Sequence, residues 1–187
     1  MENKEACLDV ASIVGTDTLL GKIMGQSHFP TLLGAILQTS QDTIVYLDFG
    51  GIINITASYI AATIVQLLRL VASGSLGRYL VIGGIHQDLQ DEIEYVLAKE
   101  GTPILVRTAQ GISVAGPLDK SYARTLAAVA EHRTATAKEL KQRSSESLGL
   151  TGWIKRLTTL HKHGLLARTR NGREYTYETI TLKDQEN

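Results

Sequence analysis

The sequence has only one cysteine, which limits both its covalent structure and its expected compartment. Cys7 is that single cysteine among 187 residues, so no disulfide can form within the chain. Domains that fold in oxidising compartments commonly rely on disulfides, whereas cytosolic proteins keep their thiols reduced. The cysteine content therefore predicts a cytoplasmic protein.

Long apolar runs are absent as well. The N-terminus carries three charged residues within its first five positions and has no extended apolar segment, which argues against a signal peptide. The most apolar stretch, residues 57–72, is interrupted by Gln66 and Arg69. That stretch is also shorter than the roughly 20 residues that a transmembrane helix needs. We therefore expect no membrane partner.

The motifs of common catalytic sites are missing too. The sequence contains no G-x-G-x-x-G fingerprint, no P-loop and no H-E-x-x-H zinc motif. Gly83-Gly84 could admit a phosphate, but two glycines in a turn are a weak signal. His161 and His163 are two residues apart, so on a helix they point about 200° apart and cannot share a metal. We expect no enzyme activity, no metal and no cofactor.

Charge is distributed unevenly although the formal net charge is zero. Residues 1–118 carry six Lys or Arg against eleven Asp or Glu, a net charge of −5. Residues 119–187 carry thirteen basic against eight acidic residues, a net charge of +5. An acidic half joined to a basic half is typical of a sensor or interaction module fused to a nucleic-acid-binding module.

Two helices are predicted near the start of the basic half. Thr136 and Glu139 form a capping-box signature, which predicts a helix from about Ala137 to Arg143. Residues 144–147 break that helix with side chains that favour turns. A second helix is indicated by an apolar stripe at three- and four-residue spacing, formed by Leu150, Trp153, Ile154, Leu157 and Leu160.

A hairpin is predicted directly after the second helix. Gly164 closes the helix, because glycine tolerates the left-handed conformation of a helix end. Two strand-like runs, residues 165–168 and 174–177, then flank Asn171-Gly172, a strong hairpin signal. Helix, turn, helix and hairpin in this order predict a winged helix-turn-helix.

The charges of this segment indicate a nucleic-acid partner. Residues 150–173 contain six Lys or Arg and no Asp or Glu. Lys and Arg reach phosphates and guanine edges, and Thr allows a helix to approach closely. We therefore predict binding to double-stranded DNA through Thr151, Lys155, Arg156, Thr159, Lys162, Arg168, Arg170 and Arg173.

Residues 157–166 also resemble the end of the recognition helix in bacterial MarR- and ArsR-type regulators, which implies a transcriptional role. Two other interpretations stay open. The segment could be a solvated basic helix with a structural hairpin, or a winged helix that contacts only proteins.

The acidic half alternates predicted strands and helices. Residues 43–49, 79–82 and 103–107 are strand-like, and we expect residues 111–114 to extend the sheet. Between them, residues 56–71 and 88–99 are amphipathic and predict helices. Upstream, we expect an edge strand over 8–14, a short helix or irregular arm over 18–25, and a helix with Pro30 in its first turn. This alternation predicts an α/β domain with a mixed, largely parallel sheet.

The two halves are joined by a short linker, Gly116-Pro117-Leu118. We place one domain at residues 1–115 and the other at residues 119–187. A helix over residues 119–133 is assigned to the second domain, where it also offers a dimer contact. We expect a homodimer.

The run Val45-Tyr46-Leu47-Asp48-Phe49-Gly50-Gly51, followed by residues 52–59 and preceded by a Gly-rich arm, resembles the STAS-like domain family of bacteria. That family is related to the STAS fold of anti-sigma-factor antagonists. The resemblance covers about residues 8–110. It implies a switchable protein-interaction module, in some relatives with a phosphorylatable Ser or Thr or with weak nucleotide binding.

On this resemblance, Asp48, Thr56 and Ser58 are candidate regulatory residues. The Asp-Ser pair usual in the phosphoswitch is replaced here by residues 54–58, Asn-Ile-Thr-Ala-Ser. A structural interpretation is also available, because a hydroxyl near a helix start is commonly an N-cap worth about 1 kcal/mol. Asp48, at a strand end, could equally bond nearby backbone amides.

The sequence therefore predicts a DNA-binding transcriptional regulator whose STAS-like domain senses a partner protein or small-molecule ligand, or mediates dimerisation. One alternative is a partner-switching adaptor that binds only proteins. Another is a nucleotide sensor that uses the C-terminal crevice of the sheet, as in CRISPR-associated Rossmann-type regulators. Salt-dependent DNA retention separates the first two, and a thermal shift with nucleotides would indicate the third.

Overall fold

The computed structural model describes residues 4–182 of the chain. Contacts between residues divide the chain into two compact units, Met1–Pro117 and Leu118–Asn187. We call them the N-terminal and the C-terminal unit. Among residues 4–182, none of the helices combines the length and apolar character needed to cross a bilayer.

The N-terminal unit contains seven of the described strands and five helices. In chain order they are β1 (Glu5–Asp9), α1 (Val10–Val14), β2 (Thr18–Leu19), α2 (Gly21–Leu37), β3 (Ile44–Asp48), β4 (Asn54–Ile55), α3 (Ala57–Ala62), α4 (Ile64–Ala72), β5 (Tyr79–Gly83), α5 (Gln87–Glu100), β6 (Ile104–Thr108) and β7 (Gly111–Ala115).

Five of these strands form one sheet in the order β1-β3-β5-β6-β7. The first four are parallel, and β7 runs antiparallel to β6. The two-residue strands β2 and β4 pair separately. A mixed, largely parallel sheet connected by helices confirms the predicted α/β class.

The core of this unit lies where the sheet meets its helices. Val45 and Leu47 of β3 point to one face because strand side chains alternate, and Leu47 is in register with Ile82 of β5. All three belong to one buried cluster with Ile60 and Ile64 from the helices. The apolar strand runs therefore reflect packing against helices, as their sequence indicated.

The predicted edge strand over residues 8–14 is misplaced. The strand ends at Asp9, and Val10–Val14 forms α1 instead. The Asp9 side chain accepts hydrogen bonds from the Ser12 backbone N–H (3.2 Å) and hydroxyl (2.7 Å), which caps the helix. These hydrogen bonds, chiefly the one from the hydroxyl, lower the pKa of Asp9. The edge position itself is confirmed, since β1 is an outer strand of the sheet.

The helix around Pro30 starts earlier than predicted. α2 begins at Gly21, so Pro30 is its tenth residue and not part of its first turn. Residues 18–25, predicted as a short helix or irregular arm, supply β2 and the beginning of α2. The Gly21 N–H donates to the Thr56 hydroxyl (2.9 Å), a contact 35 residues away that no local pattern could indicate.

The helix predicted over residues 56–71 is two helices. α3 and α4 are separated at Thr63, whose backbone has φ −122° and ψ −77°. The Thr63 hydroxyl donates to the carbonyl of Tyr59 (2.8 Å), one turn earlier. Such back-bonding by Thr commonly bends helices.

The C-terminal unit is a helix followed by a strand, two helices and a hairpin. Its elements are α6 (Lys120–His132), β8 (Thr134–Thr136), α7 (Ala137–Arg143), α8 (Leu150–Lys162), β9 (Leu166–Asn171) and β10 (Glu174–Thr179). The three strands form an antiparallel sheet in the order β8-β10-β9. The sequence did not predict β8, which is only three residues long.

The predicted helix boundaries of this unit are confirmed. Thr136 and Glu139 form the capping box: the Glu139 N–H donates to the Thr136 hydroxyl (3.3 Å), and the Thr136 N–H donates to the Glu139 carboxylate (2.7 Å). The hydrogen bonds from Thr136, chiefly that of its backbone, lower the pKa of Glu139. At the end of α8, the Leu165 N–H donates to the Leu160 carbonyl (3.0 Å), and the Gly164 N–H donates to the preceding turn, which forms a Schellman motif.

The hairpin turn lies one residue later than predicted. Asn171 pairs with Glu174, so the two turn residues are Gly172 and Arg173. Gly172 has a positive φ of +61°. A tight hairpin with glycine first avoids the steric penalty that a side chain would meet in that conformation. Asn171 is therefore the last residue of β9 rather than part of the turn.

Candidate functional site

The sequence of α8 separates a buried side from an outward side. Trp153 and Leu157 are almost completely buried, as is Leu160. Thr151, Lys155 and Lys162 are exposed. At 100° per residue, these three fall within about 40° of one another on the side opposite the buried stripe. The structure thus brings three of the predicted DNA-binding residues onto one face.

Ile154 does not belong to the buried stripe, contrary to the prediction. Its side chain is 47% exposed. Ile154 lies one residue beyond Trp153, so it is turned about 100° away from the core and towards the flank of α8. A spacing of three or four residues admits both a buried and a flanking position, and only the packing partners distinguish them.

Arg156 was also predicted to bind DNA, but it does not lie on the outer face of α8. Its guanidinium donates to the Glu146 carboxylate (2.7 Å) and lies over the Trp153 ring, 5.4 Å from the ring centroid. The Arg156 side chain is only 17% exposed. Glu146 also lies 3.6 Å from the Nε of Arg124. The acid that pairs with Arg156 lies in the loop before α8, outside the acid-free segment that motivated the prediction.

We expect Arg156→Ala to destabilise the C-terminal unit by about 1–2 kcal/mol, because a partly buried, charge-assisted hydrogen bond is lost. Urea unfolding followed by the fluorescence of Trp153, the single tryptophan, measures this change. Lys155→Ala is the matched control, since Lys155 is exposed. It should change stability by less than about 0.5 kcal/mol and weaken DNA binding more than Arg156→Ala does. The opposite ranking in both assays would contradict this assignment.

The hairpin carries the other predicted cations. Arg170, near the end of β9, and Arg173, in the turn, are both exposed, and the Nε of Arg170 donates to the Gly172 carbonyl (3.3 Å). Arg168 is half-buried, and its guanidinium stacks 4.2 Å from the centroid of the Tyr175 ring. Thr159, on α8, is also half-buried. Arg170 and Arg173 are therefore the most accessible cations of the turn.

A groove bounded by α8, the hairpin and the start of α7 was not foreseen from the sequence. It has a volume of about 220 Å³, and Leu150, Ile154 and Tyr175 form its apolar lining. Lys138 and Glu174, which form an ion pair, also line it. The signal that could have indicated it is Tyr175, an aromatic residue beside the hairpin turn.

In the N-terminal unit, the polar candidate residues lie at the carboxyl ends of parallel strands. Asp9 and Asp48 are in register on neighbouring strands, and Asp48 is in register with Gly83. The Asp48 carboxylate accepts a hydrogen bond from the Gly50 N–H (2.9 Å). Gly84 approaches so closely that a Cβ would lie 2.1 Å from that carboxylate. A Cβ at Gly83 would lie 2.5 Å from the Tyr46 hydroxyl, so close packing accounts for both glycines.

The capping interpretation of Thr56 and Ser58 is wrong. Thr56 is the residue before α3, but its hydroxyl makes no capping bond and accepts the N–H of Gly21 instead. The Ala57 N–H donates to the Glu92 carboxylate of α5 (2.7 Å). Ser58 is exposed, with its hydroxyl 3.4 Å from that of Thr56. A carboxylate distant in sequence performs the role expected of a local hydroxyl.

We therefore expect Glu92→Ala to lower the free energy of unfolding of the N-terminal unit by about 1 kcal/mol, because the Ala57 N–H loses its acceptor. Ser58→Ala should change it by less than about 0.5 kcal/mol, since no cap is removed. Denaturant unfolding followed by circular dichroism compares the two variants. A larger loss for Ser58→Ala than for Glu92→Ala would restore the capping interpretation.

Two paired groups in the middle of β1 and β3, Cys7 and Tyr46, have shifted acidities. Burial, followed by the charge of Asp48, raises the pKa of Tyr46, whose ring lies 5.7 Å from the Arg107 guanidinium. Burial likewise raises the pKa of Cys7, with Asp48 and Asp9 adding to it. A thiol with a raised pKa is a poor nucleophile. Within residues 4–182, no group of three or more His, Cys, Asp or Glu side chains is arranged to hold a metal ion.

Searches against protein-family models, curated proteins and solved structures found no match to this chain. The candidate sites therefore depend on the geometry and chemistry of the chain itself.

Proposed function

We propose that the protein is a DNA-binding transcriptional regulator and that its C-terminal unit is a winged helix-turn-helix. The observation that carries the proposal is the placement of exposed cations on both projecting elements. Lys155 and Lys162 lie on the outward face of α8, and Arg170 and Arg173 lie at the tip of the hairpin. Residues 150–173 contain no acidic residue to oppose a phosphate.

In the proposed complex, α8 enters the major groove of the duplex. Thr151 then faces the base edges, and Lys155 and Lys162 face phosphates. The hairpin reaches the adjacent backbone or minor groove with Arg170 and Arg173. Arg156 acts differently from the original expectation: by pairing with Glu146 it holds α8 against the preceding loop.

We propose that the N-terminal unit is a STAS-like module that senses a partner or ligand or mediates dimerisation in the bacterial cytoplasm. The Asp48–Ser58 region remains the proposed sensing surface, because open α/β sheets place ligand crevices at the carboxyl ends of their strands. A homodimer would present two winged units to two half-sites and gain affinity through effective concentration.

Duplex binding by the full chain, measured by anisotropy over a range of salt concentrations, tests this function. Affinity should fall as salt rises, because each neutralised phosphate releases counterions. Ser58→Asp should change DNA affinity or the oligomeric state seen by light scattering. A parent chain that shows no salt-dependent retention of any duplex would refute the proposal.

A protein-binding adaptor is the second candidate function. The specific observation in its favour is the exposure of two large apolar side chains, Ile154 and Tyr175, beside the basic residues. Aromatic and aliphatic anchors in a pocket are typical of protein interfaces. Under this alternative, the groove would bind an acidic partner and the chain would not retain DNA.

A further inference from the structure

The groove bounded by α8, the hairpin and the start of α7 contains two large apolar side chains that remain exposed in the folded chain. Ile154 is 47% and Tyr175 39% exposed, and both line the cavity of about 220 Å³. Full burial of an Ile side chain contributes about 1.5–3 kcal/mol, so leaving half of one in water forgoes part of that stabilisation. An apolar groove of this kind suits a ligand with apolar C–H groups.

The charges at the rim restrict that occupant further. Arg173 lines the groove and belongs to the exposed hairpin turn. Glu174 lines it too, but its carboxylate is paired with Lys138. Next to Ile154 on α8, Lys155 extends the positive surface outwards. The rim is therefore positive around an apolar floor, which fits an anionic chain with apolar segments between its charges.

We propose that this groove seats one sugar–phosphate strand of the duplex. The inference rests on the proposed function and identifies what that same surface contacts. A helix in the major groove and a hairpin in the adjacent minor groove are separated by a single backbone strand. In this protein the groove lies beside the first half of α8 and the hairpin, and the start of α7 forms its third side. The deoxyribose packs against Ile154 and Tyr175, and its two flanking phosphates face Arg173 and Lys155.

This arrangement assigns a role to the Lys138–Glu174 ion pair. Glu174 is the acidic residue that lines the groove, and an unpaired carboxylate there would repel the strand. Lys138 neutralises it. The contact is with the backbone, so it contributes affinity for every sequence and does not select bases.

Ile154→Glu places a carboxylate in the groove and tests the proposal directly. We expect its affinity for any duplex to fall about tenfold or more at ~100 mM salt, because like charges face each other. Ile154→Leu should bind as the parent does. Ile23→Glu is the matched control, since Ile23 is 84% exposed on α2 and lies in the N-terminal unit. Circular dichroism establishes that each variant is folded.

A rescue experiment separates groove occupancy from a general loss of charge. Lys138→Ala should weaken duplex binding, and adding Glu174→Gln should restore most of it, because the exposed carboxylate is removed as well. Hydroxyl-radical footprinting of the parent should show protected deoxyriboses between the contacts of α8 and those of the turn. Ile154→Glu should lose that protection.

The possible outcomes distinguish this inference from the function on which it rests. A parent that retains duplex DNA while folded Ile154→Glu binds equally well overturns the groove assignment alone. A parent that retains no duplex overturns both. Binding of an acidic leucine-containing peptide at Ile154, in a chain that retains no DNA, overturns the proposal in favour of a protein partner.

Discussion

Replacement of Lys155, Lys162, Arg170 and Arg173 by alanine is expected to weaken duplex binding about a hundredfold or more at ~100 mM salt. These side chains are exposed on the two projecting elements of the C-terminal unit. Each phosphate contact contributes about 0.9 to the slope of log affinity against log salt, so losing four should flatten that slope by about 3.6. Fluorescence anisotropy over a salt series measures both quantities.

A charge-matched control tests whether position or net charge matters. Arg170→Ala with Arg173→Ala removes two cations from the turn, and Lys22→Ala with Lys99→Ala removes two exposed cations from the N-terminal unit. The first pair should flatten the salt slope by about 1.8 and the second should leave it unchanged. Equal effects would show that the chain binds DNA only through its overall charge. Unchanged affinity of the fourfold variant would remove the C-terminal unit as the binding surface.

Arg78→Leu is expected to lower the free energy of unfolding of the N-terminal unit by about 3 kcal/mol. Arg78 is only 8% exposed, and its guanidinium donates to the carbonyls of Leu76 (2.8 Å), Leu37 (3.1 Å) and Thr39. These carbonyls belong to the segments that leave α2 and precede β5. Leucine fills the space but donates nothing, so buried acceptors would be left without partners.

The position of the single tryptophan makes this prediction specific. Trp153 lies in the C-terminal unit, so its fluorescence should report an unchanged unfolding transition in Arg78→Leu. Circular dichroism should show an unfolding transition at lower denaturant concentration.

Arg69→Leu is the matched control, because Arg69 is exposed and pairs with Glu100 at 2.9 Å. A surface ion pair contributes about 0–1 kcal/mol. Equal losses for the two variants would show that the carbonyl contacts of Arg78 are unimportant.

Local sequence patterns located most of the secondary structure. The capping box at Thr136 and Glu139 needs only residues within one helical turn, and the structure contains it. The apolar runs of β3 and β5 and the apolar stripe around Leu157 follow similarly from strand and helix periodicity. Such patterns are predictive because the backbone geometry of a regular element sets which neighbours lie on one face.

Misplaced boundaries have a different cause. The end of β1 at Asp9 depends on a side chain that competes for a backbone N–H and starts a helix. The interruption between α3 and α4 depends on the Thr63 hydroxyl bonding to the previous turn. In both places a polar side chain offers the backbone an alternative hydrogen bond, and periodicity of apolar residues carries no information about that choice.

By itself, the sequence determined the α/β class of the first half, the order of helices and hairpin in the second, and the concentration of cations in residues 150–173. The tertiary structure alone decided what the polar side chains do. Arg156 pairs with Glu146, the Ala57 N–H bonds to Glu92, and the Thr56 hydroxyl accepts from Gly21. Each of these partners lies outside the element that carries the residue, so no spacing rule connects them. A hydrogen bond or ion pair requires two groups at about 3 Å, and only the folded chain sets that distance.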